Sequence, residues 1–182
     1  MEQFAVFLRG INVGGNKKVP MEDLKKMMTE SGFEDVETLL NSGNILFFSG
    51  GLNTEELEGV IEKAIEQKFG FFVPVIARKM EDILGMISQD PFSGIEIHKK
   101  IRLYVSFVKE DSNIESLELP WISEDNSYRI LEYKDRVVYS VLDLTGTKTT
   151  KAMEYLDKLF GKFNVTTRNW NTILKMKKKS IH

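Results

Sequence analysis

Glycines and basic residues are concentrated in one stretch near the N-terminus, residues 9–18, which reads RGINVGGNKK. The stretch lies between a predicted strand and a predicted helix, and it carries a local charge of +3 with no acidic residue. Adjacent glycines let backbone N–H groups approach an anion, while arginine and lysine supply the opposite charge. The pattern therefore predicts an anion-binding loop. Its candidate ligands are Arg9, Asn12, Gly14, Gly15, Asn16 and Lys17.

The loop also shares one spacing with the phosphate-binding P-loop, because Gly10 and Gly15 are separated by four residues. Asn16, however, intrudes between Gly15 and Lys17, and Lys18 follows that lysine where a P-loop has the serine or threonine that holds magnesium. We therefore exclude a nucleoside-triphosphatase loop and keep the weaker prediction of an anion site. The structural alternative is that residues 14–16 form only a tight turn, which Asn12 caps.

A second polar stretch, residues 166–172, reads TTRNWNT and lies where a predicted strand passes into a predicted helix. A cation near the amino end of a helix opposes the helix dipole unless an anion or a carboxylate compensates it, so Arg168 indicates a ligand. Asn169 and Asn171 lie off the apolar face of the helix and are the other candidates here. Trp170 lies on that face and is interpreted as a core anchor in preference to a base-stacking platform. The structural alternative is that Asn169, or the threonine two residues before it, is the helix N-cap.

The residues that the chain lacks exclude several kinds of chemistry. It has no cysteine and only two histidines, His98 and the terminal His182. A disulfide framework, a thiolate zinc site, an iron–sulfur cluster and a cysteine nucleophile are thereby excluded. We predict no metal site and no cofactor. Acid–base chemistry, if any, falls to carboxylates, lysines or tyrosines, and Glu132, Tyr139 and Asp143 are the possible groups.

The 182 residues have a net charge of only −2, but this charge is unevenly distributed. Residues 145–182 carry +7 and the preceding residues −9. Much of the C-terminal charge is explained by three lysines at 177–179, which favour the carboxyl end of a helix. Clustering of this kind predicts a local anion site on an acidic protein. No membrane-length apolar stretch and no leader-like N-terminus are found, so we expect a cytoplasmic protein without membrane association.

The elements of the first half would position the loop. Residues 1–78 follow the order strand, helix, strand, strand, helix, strand, which is the ferredoxin-like βαββαβ pattern. A right-handed crossover then places the loop after the first strand and the turn at 41–44 at the same end of the sheet. Ser42 and Asn44 in that turn therefore join the candidate ligands. The predicted elements are residues 4–8, 21–31, 36–40, 45–48, 53–69 and 72–77.

The second half repeats this order and adds one helix. Residues 79–98 are predicted to be a linking helix and connector, and residues 99–182 a second α+β subdomain with a C-terminal helix. We therefore predict an α+β fold of two ferredoxin-like (βαββαβ-type) subdomains, the second followed by an extra C-terminal helix. Its predicted elements are a strand at 102–108, a helix or loop at 112–119, a hairpin at 127–133 and 137–142, a helix at 150–160, a strand at 165–167 and a helix from Trp170.

Three stretches together resemble the bacterial domain-of-unknown-function family 1697: LRGINVGGNKKVPM at 8–21, SGN at 42–44 and TTRNWNT at 166–172. The resemblance spans nearly the whole chain. It implies a small cytoplasmic α+β protein with no assigned biochemical activity, and it supplies no catalytic residues. Family members tend to have Gly-x-Ser-Lys ahead of the penultimate helix. Here Thr147 replaces that serine, and Lys148 after it joins the candidate ligands.

Three functions are compatible with these residues. The first is a binding module for an anionic ligand, a phosphorylated small molecule or a nucleic acid, in which Arg9 and Lys17 converge with Arg168. The small anion is favoured, because the whole chain is acidic and no stretch resembles an RNA-recognition motif. The alternative is an enzyme that acts on a phosphorylated or nucleotide-like substrate without metal-thiolate or histidine-cluster chemistry. The second alternative is a protein-interaction module that uses the methionine-rich first helix. The oligomeric state is left open.

Overall fold

The computed structural model describes residues 1–110, 114 and 117–180. The described residues form an α+β protein with five α-helices and two antiparallel sheets. The chain divides into two compact units, Met1–Gly85 with Met176–His182, and Met86–Lys175. The boundaries expected from the sequence differ from this division in the linking helix and at the C-terminus. Half of the residues of the helix or loop expected at 112–119 lie outside the described residues, as does His182.

The first unit contains a four-stranded sheet in the order β2-β3-β1-β4, in which every neighbouring pair is antiparallel. The central strand β1 ends in an unbroken run of five buried apolar residues, whereas the edge strand β2 has only two buried residues among charged and polar ones. Continuous hydrophobicity is typical of a strand covered on both faces. The strands of this four-stranded sheet are β1 (Glu2–Leu8), β2 (Glu34–Leu39), β3 (Asn44–Ser49) and β4 (Val75–Lys79).

Helices α1 (Met21–Glu30) and α2 (Thr54–Phe69) follow the predicted pattern. The predicted capping box of α2 is confirmed, because the Asn53 side chain accepts from the Glu56 backbone N–H and the Glu56 carboxylate accepts from the Asn53 N–H, both at 2.9 Å. Gly70, with a φ of 79°, ends the helix. The methionine pair at 27–28 of α1 is buried in the core of this unit, which is the common role of methionine at helical spacing.

The second unit contains a five-stranded antiparallel sheet in the order β6-β7-β8-β5-β9. The predicted hairpin is confirmed, and its turn residues Asp135 and Arg136 both have positive φ, as a two-residue hairpin turn requires. The short edge strand β6 was not predicted. The strands of this five-stranded sheet are β5 (Ile101–Val108), β6 (Trp121–Ile122), β7 (Tyr128–Lys134), β8 (Val137–Asp143) and β9 (Val165–Asn169).

The remaining helices are α3 (Met80–Ser88), α4 (Tyr155–Phe160) and α5 (Trp170–Lys179). The single helix predicted at 150–160 is wrong in detail, because its first turn is a 3-10 helix, Lys151–Glu154, and only the second part is α-helical. Strand β4 begins three residues later than predicted, after Pro74. None of the helices in the described part of the chain combines the length and the apolar character that crossing a membrane requires.

Candidate functional site

The glycine-rich loop between β1 and α1 contains a tight turn at residues 13–16. Gly14 and Gly15 have φ values of 60° and 80°, and the Asn16 N–H donates to the Val13 carbonyl over 3.2 Å. A Cβ atom at either glycine would meet nothing within 4 Å, so the positive φ alone favours glycine there. The tight turn that the sequence offered as the structural alternative is therefore present. Anion binding by Gly14, Gly15 and Asn16 stays a prediction.

Asn12 holds this loop in place through its side chain. Its Oδ1 accepts from the Val19 N–H over 2.8 Å, and its Nδ2 donates to the carbonyls of Val19 and Asn41, both over 2.9 Å. Asn41 belongs to the turn between β2 and β3, so the two loops lie at the same end of the sheet, as the crossover argument predicted. With both protons of its amide in use, Asn12 acts as a scaffold of the loop and has no donor left for a ligand.

Lys17 fastens the same loop to a third segment. Its Nζ donates to the Phe72 carbonyl over 2.7 Å and lies 6.0 Å from the centre of the Phe71 ring, at the outer limit for a cation–π contact. The backbone N–H of Arg9 donates to the carbonyl of Pro74, over 3.0 Å, in the same α2–β4 connection. Lys17 is thus bound to the protein's own backbone, whereas Lys18 beside it is exposed.

Ser42 and Asn44 close the β2–β3 turn. Asn44 is fully buried, and its Nδ2 donates to the Leu39 carbonyl and to the Ser42 hydroxyl, both over 2.9 Å. Between them, Gly43 has a φ of 72° and its carbonyl accepts from the Leu8 N–H over 2.8 Å. Both predicted ligands therefore have an evident structural role in this turn.

An open depression of about 410 Å³ lies beside the loop. The α1 helix begins at its border after Pro20, and no side chain caps the first turn of that helix. Lys18 is the cation of the lining, although it was not among the predicted ligands. We call this cavity the loop depression; its lining is Asn12, Gly15, Lys18, Val19, Pro20, Met21 and Asn41.

In the second unit, Asn169 is the N-cap of α5, because its Oδ1 accepts from the Asn171 N–H over 3.0 Å. Arg168 precedes this cap, lies in β9 opposite Val105 and is only 8% exposed. Its Nη1 donates to the Thr166 hydroxyl over 2.8 Å and to a backbone carbonyl of the same strand. The guanidinium is thus hydrogen-bonded within β9 rather than placed in the first turn of the helix, which weakens the dipole argument for a ligand.

A second cavity, of about 480 Å³, lies within the second unit and includes two predicted ligands, Asn169 and Asn171. Trp170 between them is half-buried and lies edge-on to Phe92, with 5.2 Å between the ring centres. The sequence identified neither Phe92 nor Arg102 as part of a site. We call this cavity the α5 cleft; its lining is Asp90, Phe92, Ile97, Ile101, Arg102, Leu103, Asn169, Trp170 and Asn171.

Lys148 lies on the exposed loop after β8 and lines neither cavity. The neighbouring Thr147 hydroxyl accepts from the Thr149 N–H over 3.2 Å. A serine hydroxyl is able to make the same local bond, so the exchange of serine for threonine is compatible with a turn-forming role.

The pKa values of two groups that the sequence identified for acid–base catalysis, Tyr139 and Asp143, are shifted further from neutrality. Burial, and then the charges of Glu132 and Asp135, raises the pKa of the Tyr139 phenol, and hydrogen bonds from Thr145 lower the pKa of the Asp143 carboxyl. A general acid or base works best with a pKa near the working pH. His98 is exposed, and no cluster of three potential metal-ligating side chains occurs among the described residues.

The family described as "Protein of unknown function (DUF1697)" matches residues 1–139. This chain belongs to it. The match confirms the resemblance noted from the sequence and includes the glycine-rich loop and the turn at 42–44. It ends before Lys148 and the stretch at 166–172.

A solved structure shows the same fold as this DUF1697 protein. It is that of the conserved bacterial protein SP0830 from Streptococcus pneumoniae, with a TM-score of 0.72 and 23% sequence identity over 97% of each chain. At this level of identity the likeness concerns the fold alone. No curated protein matches the chain significantly.

Proposed function

We propose that this DUF1697 protein is a binding module for a small anionic ligand, and that the anion binds in the loop depression. The observation that carries the proposal is the combination, at one cavity, of the exposed Lys18, the glycine turn and the uncapped amino end of α1. Each of these supplies positive charge or N–H donors. Backbone amides at a helix start and in left-handed turns are well suited to phosphate groups.

The charged residues around the loop depression favour a ligand with a single anionic group. Arg9, Lys17 and Lys18 carry the +3 of the loop, and residues 9–18 include no acid. Glu22 and Asp23, both exposed, occupy the first turn of α1. Because these two carboxylates repel further negative charge, a single phosphoryl or carboxylate group fits better than a polyphosphate.

The loop is held in its shape before any ligand arrives. Asn12 and Lys17 both have positive φ, which costs free energy for residues other than glycine, and each is fixed by the side-chain hydrogen bonds described above. Strained backbone that the surroundings hold in place is concentrated at functional sites. This arrangement supports a preorganised binding site.

A small ligand is favoured over nucleic acid by the state of the aromatic side chains. We propose that both sheets belong to ferredoxin-like subdomains, since β7-β8-β5-β9 repeats the order β2-β3-β1-β4. In such folds, single-stranded nucleic acid stacks on aromatics exposed on the sheet. In the first sheet Phe4, Phe7 and Phe47 are buried instead.

The proposal rests on the first unit and does not require Lys148, Arg168, Asn169 or Asn171.

The proposal is tested by thermal shift and isothermal titration with inorganic phosphate and a panel of sugar phosphates and nucleoside monophosphates. We expect Lys18→Ala to weaken binding about tenfold or more, because a charge-assisted hydrogen bond contributes about 1.5–3 kcal/mol. Lys25→Ala is the matched control, an exposed lysine of α1 outside the depression. Equal binding by the two variants, or no binding of any panel member, would overturn the proposal. Conversion of a bound ligand to product would establish the enzymatic alternative.

A further inference from the structure

We propose a second, separate site in the α5 cleft, whose ligand is a planar, uncharged nitrogen heterocycle of the nucleobase class. The cleft lies wholly within the second unit, so the inference does not depend on the anion site of the first. At about 480 Å³ its volume is that of a typical small-molecule pocket.

The lining of the cleft combines polar groups with aliphatic and aromatic side chains. Trp170 packs edge-on to Phe92, which in turn packs edge-on to Tyr139 with 6.1 Å between the ring centres. This chain of contacts fixes the indole, and a fixed aromatic ring offers a surface for stacking at low entropic cost. Ile97, on another wall, is 63% exposed, although large aliphatic side chains are usually buried. A flat ligand would cover it.

The rim of the cleft provides hydrogen-bond donors and acceptors together. The Asn171 amide is exposed, and Asn169 retains its NH₂ group, because only its Oδ1 is used in capping α5. Arg102 is held by its Nη1, which donates to the Lys99 carbonyl over 2.8 Å and to the Ile101 carbonyl over 3.0 Å. An amide side chain pairs with the mixed donor and acceptor edge of a base through two hydrogen bonds.

The charge of the α5 cleft favours a different ligand from the anion proposed for the loop depression. Its lining includes one carboxylate, Asp90, and one guanidinium, Arg102, so the formal charges cancel. A phosphate would gain little from such a lining, whereas a neutral heterocycle finds aliphatic and aromatic side chains for its faces and polar groups for its edge. The chemistry therefore points to the base rather than to the phosphate of a nucleotide.

Tryptophan fluorescence tests the inference directly. The chain has two tryptophans, and Trp121 stacks on Tyr155 with 4.1 Å between the ring centres, outside the cleft lining. In a Trp121→Phe variant the emission comes from Trp170 alone. We expect saturable quenching by free adenine, guanine, cytosine or uracil, or by their nucleosides. The shift of the Trp170 indole N–H in two-dimensional NMR spectra of the unchanged chain gives a second readout.

Three further variants make the test specific. Asn171→Ala should weaken binding about three- to tenfold, the effect of one or two lost neutral hydrogen bonds. Lys177→Ala, an exposed position of the same helix outside the cleft lining, should leave it unchanged. Lys18→Ala should also leave it unchanged, which separates this site from the proposed anion site. The inference is wrong if neither readout saturates with any base or nucleoside, or if Asn171→Ala binds as tightly as Lys177→Ala.

Discussion

The Asn12 side chain donates a hydrogen bond of 2.9 Å to the backbone carbonyl of Asn41, 29 residues away in the chain. This bond joins the loop after β1 to the turn after β2, and the same amide also pairs with both backbone groups of Val19. One side chain therefore determines how three parts of the loop depression are held together.

We expect Asn12→Ala to lower the free energy of unfolding by about 3 kcal/mol, because three hydrogen bonds of about 1 kcal/mol each are lost. Alanine at a φ of 56° adds a small conformational cost. Urea denaturation measures the change. Asn16→Ala, exposed in the same loop, is the control and should change stability by less than about 0.5 kcal/mol. Equal losses in the two variants would contradict the scaffold role of Asn12.

Gly43 lies in the most crowded turn of this end of the sheet. A Cβ atom there would lie 2.6 Å from the Leu8 Cβ and 2.8 Å from the Ile11 Cδ1, and the φ of 72° is unfavourable for alanine. We expect Gly43→Ala to destabilise the protein by about 2–4 kcal/mol, the range of overpacking plus backbone strain.

Gly14→Ala is the control for Gly43→Ala, since it has a similar φ of 60° but no neighbour within 4 Å of the added Cβ. Strain alone should cost about 1 kcal/mol there. Thermal denaturation of the two variants separates strain from collision. If Gly14→Ala were as destabilising as Gly43→Ala, close packing under the β2–β3 turn would not be the cause.

Asp125 provides a prediction on acid stability. Hydrogen bonds from the hydroxyls of Ser123 and Ser127, and from the Ser127 N–H, lower the pKa of its carboxyl below the usual 3.8. A lowered pKa in the folded state stabilises the protein above the pKa of the unfolded chain, and this contribution is lost as the pH falls through the folded value. Asp125→Asn should therefore lose less stability than the unchanged chain between pH 5 and pH 3.

Denaturation at several pH values, together with an NMR titration of the Asp125 carboxyl, measures this effect. Asp35→Asn, an exposed carboxylate of the first unit, is the control and should follow the unchanged chain. A titration midpoint of Asp125 at or above the ordinary value would contradict the hydrogen-bonding explanation.

Local patterns predicted those parts of the structure that depend on neighbours in the chain. The capping box of α2 and Gly70 at its end were predicted because both signals lie within a few residues of the helix end. The crossover rule also predicted which loops share one end of the sheet. It did not predict that Asn12 contacts Asn41, or that Lys17 contacts Phe72, because these partners are 29 and 55 residues apart.

The α5 cleft was missed for a related reason. Its lining comes from three separate segments, the connector at 90–97, the start of β5 and the start of α5. Neither Phe92 nor Arg102 stands in a local motif. Trp170 was interpreted as a core anchor, but it is half-buried, and its position at the border of a cavity depends on Phe92, 78 residues earlier in the chain. Such a site becomes visible only when the tertiary fold is known.

Tyr139 tests whether the enzymatic alternative has a usable base among the groups that the sequence identified. Burial raises the pKa of its phenol well above 10, and the charges of Glu132 and Asp135 add to the effect. A raised pKa in the folded state contributes stability that is present below pH 10 and lost as the pH rises toward the folded value. Tyr139→Phe removes the ionisation that drives this loss, so its stability should decrease less than that of the unchanged chain as the pH rises above 10. We expect urea denaturation to show a smaller decrease in stability between pH 9 and pH 11 for the variant. A tyrosinate absorbance transition below pH 9 that disappears in Tyr139→Phe would reverse the conclusion and make Tyr139 a credible catalytic base.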